Sequence, residues 1–296
     1  MATVDSAVET PVDPDTQLVA RIGRFFSRAP IHIVLVLLAV FWLIPTTGLF
    51  ITSLLTPSDA AQGGWWNFFA KPSTWTLDNY STMFDNEGIT HALWVTALVT
   101  IGATILPILV ASLAAYALAW IDFPGRDWLF LLIVGLLLVP VQMALIPIFR
   151  LYNNFNLFDT IPGLILFHSA FALPFAIFLL RNFFAGIPRD LMEAARIDGA
   201  SEWRLFFKVV LPLGIPAIAS LAIFQVLFVW NDLLIGLVMA QNNQPIAPEL
   251  ASQLRQFGSN LDVLAPAAFF SAVIPLTIFA LFQRYFVQGL LAGSVK

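Results

Sequence analysis

Few side chains in this 296-residue chain could do charge-based chemistry, and they gather in two places. The first is Glu193-Ala194-Ala195-Arg196-Ile197-Asp198-Gly199-Ala200-Ser201, a charged island between long apolar runs. The second is Trp230-Asn231-Asp232, which interrupts an apolar run from about Leu211 to Ala240, with Gln225 upstream. Neither forms a constellation for covalent or acid–base catalysis. The chain has no cysteine, which excludes thiolate nucleophiles, thiolate metal sites and disulfides. His32, His91 and His168 lie far apart, which argues against a metal centre. No Gly-Lys-Ser/Thr phosphate loop is present, so this chain is not expected to bind or hydrolyse ATP. Catalytic, cofactor and metal residues are therefore all expected to be absent.

What the island can do is dock. Pro188 suits the first turn of a helix, and Asp190 favours its positive end. From Leu191 to Ile197 only Glu193 and Arg196 are charged, which gives one apolar and one charged face. Gly199 falls where a helix stop needs a left-handed residue, and Ser201 can cap a second short helix. Leu211-Pro212 then leads back into an apolar run. The expectation is a helix–glycine–helix elbow over about residues 188–203, a handle for another protein to push.

The second place is ambiguous. Asp232 could cap a broken half-helix, or it could line a pathway with Asn231. Gln225, Trp230, Asn231 and Asp232 are the amide, aromatic and carboxylate groups that a polyhydroxyl solute wants, but helix–helix hydrogen bonding would use the same groups. Gln142 and His168 each stand alone in an apolar run and are read as packing residues.

The elements that position these groups belong to a membrane. Hydrophobic residues make up 59% of the chain and charged residues 11%, with a mean hydropathy of +0.85. A soluble globule carries about 25% charged residues. The net charge of −4 argues against nucleic acid as a partner. Residues 1–30 open on an acidic stretch, read as a disordered tail. Six spans are expected, at about 31–54, 92–119, 128–149, 161–180, 211–240 and 263–282, each able to cross the ~30 Å hydrocarbon layer. Two sizeable polar loops, 55–89 and Gln241–Asp262, separate them. The paired Trp65-Trp66 reads as an interfacial belt, and Asn79-Tyr80-Ser81 fits a glycosylation sequon. Of the 14 basic residues, eleven fall on the side of the termini and the elbow, and only Lys71, Arg150 and Arg255 on the other. The positive-inside rule then places both termini and the elbow in the cytoplasm.

The spacing Glu-Ala-Ala, three residues, Gly, nine residues, Val209, one residue, Leu211-Pro212 resembles the EAA motif of ABC-importer permeases. Tyr116-Ala117-Leu118-Ala119, Phe123-Pro124-Gly125-Arg126, Trp230-Asn231-Asp232 and the end Gly289-Leu290-Leu291-Ala292-Gly293-Ser294-Val295-Lys296 add to a likeness with carbohydrate permeases, above all the smaller maltose or α-glucoside permease subunit. The resemblance covers roughly residues 75–296. It implies an all-α polytopic fold of about six transmembrane helices, the type I importer fold. The permease domain would span 31–288 and a cytoplasmic tail 289–296.

It implies as partners a second permease, two cytoplasmic ATPases that bind ATP and Mg, an extracytoplasmic sugar-binding protein and membrane lipid, in a prokaryotic plasma membrane. Glu193, Ala194, Ala195, Asp198, Gly199, Leu211 and Pro212 would couple the chain to the ATPase. The loop Gln241–Asp262 would reach the binding protein. Maltose, α-glucoside or trehalose-type sugars are the expected cargo. The alternatives are a non-sugar importer of the same design, or an ion-coupled carrier using Asp232, the sole acidic candidate at membrane depth.

Overall fold

The computed structural model describes residues 14–69, 75–257 and 260–292. Among them the regular elements are helical, and one isolated bridge pairs Leu55 with Trp75. Helix α1 (Pro14–Ser53) is followed by α2 (Pro57–Gln62), a 3₁₀ turn Trp65–Phe69 and α3 (Asp78–Asp85). Then come α4 (Glu87–Trp120), α5 (Arg126–Leu136), α6 (Val141–Asn154) and α7 (Ile161–Ala185). The elbow region holds α8 (Arg189–Ile197), α9 (Glu202–Leu205) and a π turn Phe206–Val210. The last elements are α10 (Leu211–Trp230), α11 (Leu234–Met239), α12 (Ile246–Phe257) and α13 (Leu261–Ala292).

Five runs are long and apolar enough to cross a membrane: Pro30–Ser53, Glu87–Trp120, Ile161–Ala185, Glu202–Trp230 and Leu261–Arg284. The third expected span is not one straight helix. Its place is taken by α5 and α6, bent by 97° at Pro140. A proline has no N–H to donate and pushes the residue before it out of the helical region. The expected tail also changes: residues 1–13 lie outside the described residues, but from Pro14 onward the chain is helical. The sequence gives the reason, since Leu18, Ile22, Phe25 and Phe26 recur at helical spacing. At the other end α13 continues to Ala292, and residues 293–296 lie outside the described residues.

The core is built on α4, α7 and α10, with α13 packed on α10 and α1 on α13. Ala103, Ala111 and Ala115 are fully buried on α4, where small side chains let neighbouring backbones approach closely. Gly214 serves the same end on α10, because a Cβ there would lie 2.6 Å from Phe184 Cε1. α1 presents an exposed apolar surface from Ile31 to Leu43, as lipid or a second helix bundle requires.

The polar loops are more ordered than their composition implies. Asn79 is buried, and its Nδ2 donates to the carbonyls of Ser53 (2.9 Å) and Leu55 (2.7 Å), closing the end of α1. A side chain so enclosed is not a glycan acceptor, which corrects the sequon reading. The paired tryptophans diverge too. Trp66 is exposed, whereas Trp65 packs with Ile51, Leu55 and Phe68.

Candidate functional site

The elbow forms as expected, with a firmer geometry than expected. Pro188 stands one place earlier than anticipated, at the N-cap of α8 rather than in its first turn. The helix ends in a Schellman motif. Ala200 N–H donates to Ala195 O and Gly199 N–H to Arg196 O, each at 3.0 Å, with Gly199 at φ +78°. Only glycine takes that conformation without strain. Ser201 has the extended backbone of an N-cap, but its hydroxyl makes no capping bond, so the expected side-chain cap is absent.

Beyond it the chain runs unbroken from Glu202 to Trp230. Pro212 cannot donate to the carbonyl four residues back. The π turn just before it, with Leu211 N–H donating to Phe206 O, absorbs the mismatch.

Burial sorts the elbow residues into two sets. Met192 is fully buried in a cluster with Phe184, Leu205, Phe206 and Val210, which also takes in Tyr116 and Leu118 of α4. Glu193, Ala194, Asp198 and Gly199 are exposed, Ala195 and Leu211 are half-buried and Pro212 is exposed. Ile197 is 86% exposed and Trp203 is 65% exposed, the latter stacked on Phe207 at 6.0 Å. On this helix, anchored from behind by one methionine, an acidic residue is thus flanked by bare apolar side chains.

Two contacts were not legible in the sequence. Glu202 accepts from the Tyr116 hydroxyl (2.5 Å) and from Arg196 Nη2 (3.3 Å), which ties both elbow helices to the end of α4. On the opposite side Asp159, at φ +57°, accepts from the backbone N–H groups of Gln241 (2.8 Å), Asn242 (3.0 Å) and Asn243 (3.0 Å). Asn242 Nδ2 donates to it as well, and Asn243 Nδ2 donates to its carbonyl. The loop that begins at Gln241 is thus fastened to the start of α7, and most of the rest of it is α12. The asparagine-rich stretches 153–156 and 242–243 were the only hint.

Burial alone would raise the Asp159 carboxyl, but the hydrogen bonds from Asn243, Gln241 and Asn242 outweigh it and hold the group below its ordinary 3.8. A lowered value means the latch contributes fully above the ordinary carboxylate range and is lost as pH falls through and below it. Asp159→Asn is expected to speed amide exchange at Gln241–Asn243 about fivefold to tenfold at neutral pH, the scale of a charge-assisted bond at a partly exposed site. It should also remove the acid sensitivity of that exchange. Protection equal to that of the unchanged chain would refute the latch.

The second sequence-predicted place separates into parts. Gln225 is buried, and its Nε2 donates to Ala103 O at 3.0 Å. Trp230 is buried and donates to Ser271 O at 2.9 Å. Both side chains donate to a neighbouring helix, which is the helix–helix hydrogen bonding weighed above. Asp232 Oδ2 accepts from Ile235 N–H (3.0 Å) and Gly236 N–H (3.1 Å), which is the half-helix cap weighed above. His168 is buried with Nε2 3.9 Å from the same oxygen. Asn231 alone is exposed, its Nδ2 turned back to Leu227 O at 2.8 Å. Gln142, read as a packing residue, is exposed on this chain.

An all-helical bundle of five continuous spans and one bent passage, carrying an exposed elbow, is the fold of an ABC-importer permease. A bacterial ABC transporter involved in import of the acidic polysaccharide alginate shares it with a TM-score of 0.75 over 94% of this chain and all of that one, at 21% identity. Residues 17–292 match the family described as binding-protein-dependent transport system inner membrane component, and the chain belongs to that family. It is therefore a multi-pass membrane subunit of a transport system, not an enzyme.

The osmoprotective compounds uptake permease protein GgtD of Synechocystis is 44% identical over 92% of this chain and 94% of its own length. The alpha-glucoside transport system permease protein AglG of Rhizobium meliloti is 47% identical over 76% of this chain, which spans 61% of that protein. The trehalose transport system permease protein SugB of Mycobacterium tuberculosis is 35% identical over 86% of this chain and 92% of its own length.

Proposed function

We propose that the chain forms half of the translocation pathway of an ATP-driven sugar importer, with α-glucosides or trehalose-type sugars as cargo. The observation that carries the coupling part is the elbow: Glu193, Ile197 and Trp203 bare on its surface, and Met192 buried beneath. In this reading a cytoplasmic ATPase grips α8, and a second permease covers the exposed faces of α1, α5 and α6. Both termini are cytoplasmic. A sugar-binding protein meets the opposite side, where Asp159 fastens the loop that begins at Gln241. ATP and Mg stay with the ATPase, and this chain holds no cofactor. Asn231 is the one residue of its group left to meet solute.

The sugar assignment draws on the relatives named for alpha-glucoside and trehalose transport. A second reading, another osmoprotective solute, draws on the 44% identity to the osmoprotective compounds permease. The test is co-purification followed by reconstitution with the binding protein, ATPase and second permease. ATP hydrolysis should rise with α-glucosides or trehalose. Stimulation by another osmoprotective solute, and by neither of these sugars, would select the second reading. Transport by this chain alone in liposomes, without ATP, would overturn both.

A further inference from the structure

A cavity of about 340 Å³ lies beside the elbow, where the ends of α4 and α7 meet α5 and α8. Its charged lining is Asp122, Arg126, Arg181, Arg189, Glu193 and Arg196, two more positive than negative charges. Arg181 Nε is buried without a hydrogen-bond acceptor. The rest of that guanidinium is held in place, 4.6 Å above the Phe130 ring and with Nη1 donating to Asn182 Oδ1 at 3.3 Å. A guanidinium N–H is costly to bury without an acceptor, so this fixed donor needs one.

Arg189 makes no hydrogen bond or ion pair among the described residues. Arg126 and Arg196 are paired with Asp122 (2.7 Å) and Glu202 (3.3 Å), but these are solvent-facing bridges that leave other donors on each fork. Trp120 lines the same cavity and donates from its indole to Phe184 O, the placement of an aromatic at a membrane boundary.

Pooled arginines at span ends, with one orphaned and rigid, match a phosphate oxygen better than they match each other. We propose that this cavity binds the phosphate of an anionic phospholipid headgroup next to Glu193. The proposal rests on the cytoplasmic orientation given above and goes beyond the coupling role. It makes the elbow's resting position depend on the surrounding lipid.

The full chain would be placed in phosphatidylcholine nanodiscs doped with phosphatidylglycerol, then delipidated and weighed by native mass spectrometry. The wild type should retain phosphatidylglycerol, and Arg181→Gln with Arg189→Gln should retain about tenfold less, the scale expected for lost charge-assisted bonds. Arg189→Gln alone, at an exposed helix position that leaves folding intact, should show a smaller loss in the same direction. Arg204→Gln, outside the cavity lining, should show none. Equal retention in all variants would overturn the site. If inorganic phosphate raises the melting temperature of the wild type but not of the double variant, while phosphatidylglycerol is not retained, the site takes free phosphate and the lipid assignment fails. Retention requires neither ATPase nor sugar, so this outcome is independent of the transport reading.

Discussion

Glu193→Ala is expected to cut substrate uptake by the assembled transporter at least about tenfold while leaving the fold untouched. Glu193 is exposed and makes no ion pair among the described residues. Alanine is at least as good a helix former at that place. Surface changes away from a specific contact stay within about 0.5 kcal/mol, so the melting temperature should hold. The effect on coupling is of another size. A carboxylate enclosed by a partner and bonded to a basic group costs about 2–5 kcal/mol to remove, and each 1.4 kcal/mol is tenfold. ATP hydrolysis should persist without matching uptake. The measurement is paired hydrolysis and uptake in proteoliposomes. Normal coupling, or an unfolded variant, would remove the elbow from the mechanism.

The elbow was legible because its determinants are local. A left-handed glycine, a proline and a helix with one apolar and one charged face act within a few residues of each other, and their consequences do not depend on what packs nearby. The span count was legible for a similar reason, since length and apolarity alone decide it. What the sequence left open were contacts between distant residues. Tyr116 and Glu202 meet across two helices, and nothing in either neighbourhood announces the bond. Asn79 shows the converse hazard, because a short motif carries no information on burial and the side chain it names is closed inside. Gln225 and Trp230 were read as both packing and pathway candidates. The choice turned on whether a carbonyl lay opposite, which only the helix pairing decides. Pro140 stands where the third span bends, but the size of the bend depends on how α5 and α6 pack.

These contacts also give the elbow its mechanical character. The Glu202 carboxylate holds Tyr116 of α4 and Arg196 of α8 together, so α8 is linked to α4 independently of the turn at Gly199. The π turn and Pro212 join the elbow to α10, and Gly214 keeps α10 close against Phe184 of α7. Three spans therefore connect to one surface. Beside the Glu202 bonds, the linkage of α8 to the spans is apolar and depends chiefly on one side chain.

That side chain is Met192. Met192→Ala is expected to lower stability by about 2–5 kcal/mol, the range for truncating a large buried apolar residue with its cavity left behind. Met192→Leu, close in volume, should cost under about 1.5 kcal/mol. Thermal unfolding in detergent or nanodiscs reads both. Met192 is fully buried in the one cluster that joins α8 to Phe184, Leu205, Phe206 and Val210, whereas its neighbours Leu191 and Glu193 are exposed. No adjacent side chain can take over the anchor. Because α8 has only nine residues, too few to hold helical structure alone, it depends on that anchor for its place. The alanine variant should therefore lose amide-exchange protection first over 189–197, and it should lose coupling as Glu193→Ala does, but with the fold weakened as well. If Met192→Ala melts like the wild type, α8 is held by something other than this cluster, and the push cannot be passing through it.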